Sequence, residues 1–90
     1  MKKVFKYTLL QVSQQAVVMP AGAVLLSAHM QKGEACLWAL VDPGNPPAAR
    51  YVGIYGTGMP VPDSPGAFVG TVLTDGGHFV FHLFDEGEKS

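Results

Sequence analysis

The 90 residues carry six basic and seven acidic side chains, a formal charge of −1, against 48% hydrophobic residues. A chain of this length holds one domain, and such a domain buries only roughly 60–65% of the surface its unfolded chain exposes, so part of the apolar surface is expected to meet a second chain. The near-neutral balance gives no electrostatic reason to expect nonspecific nucleic-acid binding, which needs a clustered positive face, and the single Cys36 excludes an internal disulfide.

Short apolar runs recur about every ten residues between Gly, Pro, Asn and Asp, a strand rhythm rather than a helical one. Residues 3–10 form the first predicted strand, with Phe5, Tyr7 and Leu9 on one face and Lys6 and Thr8 on the other. A second strand covers residues 14–19, and Pro20, Ala21 and Gly22 turn the chain into a third over residues 23–31. Gln31, Lys32, Gly33 and Glu34 read as a tight hairpin into a fourth strand over 35–41. That strand is apolar on both faces, with Leu37, Ala39 and Val41 on one side and Cys36, Trp38 and Leu40 on the other, so it belongs at the centre of a sheet or under cover on both sides.

Residues 42–47 include Pro43, Pro46 and Pro47, which lack an amide proton, and are expected to be a stiff exposed loop. A fifth strand over 50–55 puts Tyr51 and Tyr55 on one face and Val52 and Ile54 on the other, while Gly53 allows a bulge or a close backbone approach. The longest irregular stretch, residues 56–66, presents the apolar Met59 and Val61, which either fold back on the body or touch a partner. Residues 67–74 are a sixth strand, and Asp75, Gly76 and Gly77 turn it into a seventh over 78–84, with a frayed tail over 85–90. If the first and last strands are neighbours, Lys2, Lys3 and Lys6 attract Asp85, Glu86 and Glu88; otherwise both ends are solvated. Seven short antiparallel strands in one domain over residues 1–90 predict an all-β fold, a compact sandwich ahead of a jelly-roll-like barrel.

No catalytic or cofactor signature accompanies this architecture. His78, Val80 and His82 share a face by the period of two, but a zinc site needs a third and usually a fourth ligand, and His29, Cys36 and the carboxylates sit at no matching spacing. Cys36 lies among apolar neighbours and reads as a core thiol. Gly56, Thr57 and Gly58 lack the third glycine and the helix of a phosphate loop. The expectation is therefore a protein without enzymatic activity, metal or cofactor. Candidate binding residues are Arg50, Tyr51 and Tyr55, the loop residues Met59 and Val61, and the histidines His78 and His82. Trp38, Tyr51, Tyr55 and Phe68 would offer an aromatic platform, but the cation partners such a platform uses are few and core packing is the expectation for Trp38. No run approaches the ~18 apolar residues of a membrane helix, and Lys6 with the polar stretch 11–15 interrupts any signal-peptide core, so the expected compartment is the cytosol.

Four passages carry a resemblance: Met19 to Ala23 leading into an apolar strand, Cys36 to Pro43, Gly56 to Gly58 followed by Pro60 to Asp63, and Gly76 to His82. As a set they resemble a family of small uncharacterised proteins encoded by bacteriophages and prophages. The resemblance spans nearly the whole chain and implies a phage origin, in the host cytoplasm or the virion, without implying a reaction. The expected function is a noncatalytic binding protein that counters host defence. It is expected to act as a homo-oligomer that binds a host protein or sequesters a small signalling ligand. A virion or assembly accessory protein and, third, a small hydrolase are the alternatives.

Overall fold

Seven antiparallel strands and one short 3₁₀ turn make up the chain, in a computed structural model that describes residues 1–89. The strands are β1 (Lys3–Thr8), β2 (Gln14–Pro20), β3 (Val24–Gln31), β4 (Glu34–Val41), β5 (Pro47–Gly56), β6 (Ala67–Thr74) and β7 (Phe79–Lys89). They form a three-stranded sheet in the order β1-β4-β3 and a four-stranded sheet in the order β2-β5-β7-β6. This is the expected all-β sandwich.

Alternation along each strand builds the space between the sheets. Leu37, Ala39 and Val41 point inward from β4, with Phe5 opposite Ala39 and Tyr7 opposite Leu37 on β1. From the other sheet come Met19, Val52, Val72 and Leu83, all buried in the same cluster. Leu37 and Leu83 are fully buried, and each contributes about 1.5–3 kcal/mol relative to exposure. As expected, β4 lies at the centre of its sheet. At one side of the sandwich β3 and β6 meet, each kinked by a bulge, between Leu25 and Ser27 and between Phe68 and Gly70. Gly70 permits this approach, because a Cβ there would lie 3.3 Å from the Ala28 backbone nitrogen.

The β3–β4 hairpin turns at Lys32 and Gly33, both at positive φ (51° and 80°), the geometry that twists the strands in the preferred sense. Two boundaries differ from expectation by more than two residues. β5 starts at Pro47 rather than Arg50, because β2 supplies a partner as far as the Pro20–Pro47 pair, where neither residue has a proton to lose from the ladder. The preceding loop is closed by Asp42, whose Oδ1 accepts from Gly44 N at 3.1 Å and whose carbonyl accepts from Asn45 N at 3.0 Å.

The tail expected to fray is instead strand: β7 continues to Lys89, and Ser90 lies outside the described residues. Its acidic groups have partners there. Asp85 and Glu88 reach Arg50, and Glu88 Oε1 also accepts from Gly22 N at 2.6 Å. The first and last strands are not neighbours, since β1 pairs with β4 and β7 lies between β5 and β6. Lys6 accordingly donates to Gln31 Oε1 at 2.6 Å rather than meeting the acidic end.

Candidate functional site

The outer face of the four-stranded sheet gathers four of the residues singled out above, Tyr51, Tyr55, Phe68 and His82. By alternation it receives Tyr51 and Tyr55 from β5, His82 and Phe84 from β7, and Phe68 and Thr71 from β6. Phe68 stands directly opposite Phe84, ring centroids 5.8 Å apart and edge to face, and Tyr55 packs against the same Phe84 at 6.1 Å. Cross-strand aromatic pairs of this kind hold one another in place. Tyr55 is only 8% exposed and Phe68 is 61% exposed, so the stack is rooted at one end and offered to solvent at the other.

Gly53 makes the rooting possible. A Cβ there would lie 2.7 Å from the Tyr55 ring, so the absent side chain lets the ring lie flat across the strand. The Tyr55 hydroxyl donates to Glu86 Oε2 at 3.2 Å, and Gln14 Nε2 donates to the same carboxylate at 3.2 Å and to the hydroxyl at 3.3 Å. Glu86 is the extra residue where the β5–β7 register shifts, and the bulge turns its carboxylate toward this face. Tyr51 is half-buried, with Lys89 Nζ 5.2 Å from its ring centre.

His82 forms the other polar centre, with Nε2 2.8 Å from Thr57 Oγ1 and Nδ1 3.0 Å from Thr71 Oγ1. Thr57 N also donates to Val80 O at 3.1 Å, so the root of the 57–66 loop is fastened to the sheet. Beyond that root Met59 is 63% exposed, and Val61 is exposed as well. Of the two outcomes expected for these loop residues, folding back on the body is not what is observed.

Three expectations need correction. Arg50 does not join Tyr51 and Tyr55: adjacent residues on a strand point to opposite faces, and Arg50 points inward at 7% exposure. There its Nη1 donates to Asp85 Oδ2 at 2.8 Å, its Nη2 donates to the Ala23 carbonyl, and Glu88 Oε1 lies 3.7 Å away. His78 sits exposed in the turn before β7, while His29 is in the other sheet, its ring 5.8 Å from Trp38. Trp38 likewise belongs to the opposite outer face, so the aromatic platform consists of Tyr51, Tyr55, Phe68 and Phe84. Among the described residues no group of three or more His, Cys, Asp and Glu side chains converges as metal ligands do.

Phe84 and Glu86 escaped the sequence reading although a signal for Phe84 existed: continuing the period of two from His82 puts it on the same face. The geometry offers rigid aromatic surface with a polar rim. This is an equipment suited to binding, held on a small antiparallel sandwich. The chain belongs to the family described as domain of unknown function DUF7352, which matches residues 1–90. No match was found among curated proteins or solved structures.

Proposed function

We propose that this chain is a noncatalytic, phage-encoded binding protein that counters host defence in the host cytoplasm, acts as a homo-oligomer, and takes a host protein on the outer face of its four-stranded sheet. The observation that carries this reading is Phe68, a large aromatic side chain exposed at 61% on a base of Phe84 and Tyr55. Exposed aromatics on a rigid base suit hot spots, since little side-chain freedom is lost on docking. Met59 and Val61 extend the apolar surface on a loop stiffened by Pro60, Pro62 and Pro65. The surface depressions beside Val18 and Pro47 are shallow and open, which favours a protein over a small sequestered ligand.

The test is phage plating on a defence-carrying host that expresses the protein. Wild type restores plating; Phe68→Ala does not, while its thermal unfolding stays that of wild type. Against the isolated host target the same variant loses affinity roughly 30-fold, the equivalent of ~2 kcal/mol. Unaltered plating with the wild-type protein, or full activity of Phe68→Ala, overturns the reading. Recovery of the protein in purified particles moves it to the virion class instead.

A further inference from the structure

The sandwich has four strand edges, and three of them carry devices that block pairing with another chain. β1 has Lys3 and Lys6, while β3 and β6 are bulged and face each other. β2 has none of these. It carries no charge, and its register with β5 runs without a break over all seven of its residues.

The hydrogen bonds at its two ends fix which of its amides are free. Ile54 N donates to Ser13 O at 2.7 Å, and Ala21 N donates to Pro46 O at 2.8 Å. In an antiparallel ladder only alternate residues bond the neighbour, so Gln15, Val17 and Met19 turn their backbone groups toward β5. Gln14, Ala16, Val18 and Pro20 therefore turn theirs toward the open side. Ala16 is exposed and Val18 is 65% exposed, so none of the described residues covers this edge there. Both shallow depressions adjoin Val18, one shared with Tyr7 and Met19 and the other with Ala49 and Tyr51.

We propose that β2 is the interface of a symmetric dimer, pairing antiparallel with β2 of a second copy about Val17. The proposal rests on the self-association put forward above and assigns its surface. The strand is self-complementary in this arrangement. Ala16 of each copy stands opposite Val18 of the other, and Gln14 stands opposite Pro20, which lacks only a donor. All three free N–H groups of each copy, on Gln14, Ala16 and Val18, then find carbonyls. The absence of charge selects a second copy: a twofold axis sets a strand against itself, and the lysines of β1 would face their own equivalents. The two four-stranded sheets become one continuous sheet of eight.

The test combines sedimentation with amide hydrogen exchange on the full chain at ~10 µM and ~1 mM. The expected result is a dimer at the higher concentration, with the amides of Gln14, Ala16 and Val18 slowed about tenfold or more relative to the lower one. Val18→Pro removes an N–H that has no bond within the monomer, so it leaves a folded monomer that does not dimerise. Ala16→Lys, which adds a charge at the edge, gives the same result should the proline variant not fold. A dimer in which these amides exchange unchanged, or one that survives both substitutions, overturns the β2 edge alone. A monomer at the higher concentration overturns both this interface and self-association. Protection of the three amides only on adding a host protein assigns the edge to that partner's strand and overturns the second copy.

Discussion

Arg50 and His82 lie on opposite faces of the same sheet, and each ties β7 to a distant part of the chain. Arg50 works on the buried inner side, at its margin, where it binds Asp85, Glu88 and the Ala23 carbonyl, fastening the end of β7 to the start of β3. Its Nε has no hydrogen-bond partner among the described residues. His82 works on the solvent side, where each ring nitrogen meets a threonine hydroxyl. A hydroxyl donates or accepts, so either ring tautomer is satisfied. The difference shows that the parity of a residue on its strand, rather than its chemical type, decides whether a polar side chain builds the scaffold or furnishes the surface.

The largest effect expected from breaking this comparison comes from Arg50→Met. The substitution keeps an apolar stem but leaves two carboxylates without their cation. Removing one partner of a fully buried pair costs about 3–5 kcal/mol; Asp85 and Glu88 keep some access to water, so about 2–3 kcal/mol is expected here. Urea unfolding checks it, together with loss of amide protection over residues 85–89. The parallel His82→Ala should lower global stability by less than about 1 kcal/mol, because its hydrogen bonds are exposed. Its signature is local: faster proteolysis within residues 56–66, where Thr57 has lost its partner. Equal global effects from the two variants would remove the distinction between scaffold and surface.

The same distinction explains what was legible in the chain. The Lys32–Gly33 turn and the face parity of β1, β4 and β5 follow from local chemistry, because they depend on backbone conformation and the period of two. The continuation of β7 does not. Asp85, Glu86, Gly87 and Glu88 have the composition of a solvated tail, and they become a strand because β5 supplies a ladder as far as Lys89 while Arg50, Gly22, Gln14 and Tyr55, far away in the chain, meet their carboxylates. Of the expected site residues, Tyr51, Tyr55 and His82 meet on one face, and Met59 and Val61 lie on the loop fastened to it. Arg50 was misplaced by proximity in sequence, and Trp38, expected in the core, lies on the outer side of the other sheet, because the assignment of strands to sheets is encoded by no local pattern.

Tyr7 sharpens the comparison with a smaller effect, since it is a polar group placed between the two extremes. It points inward from β1 at the rim of the sandwich beside Met19, Pro20 and Pro43, and burial raises its phenol above the ordinary value of 10.0. The folded chain thus holds this proton more tightly than the unfolded chain does. Below pH ~10 the group is neutral in both states and adds no pH dependence. Above that value the unfolded chain ionises first, so stability falls as pH rises through the higher folded value. Tyr7→Phe removes this contribution. The difference in unfolding free energy between wild type and variant should be constant up to about pH 10 and then shift in favour of the variant, other tyrosines cancelling between the two proteins. A difference that stays flat from about pH 9 to about pH 12 would show that the rim of the core at β1 is as wet as the His82 face.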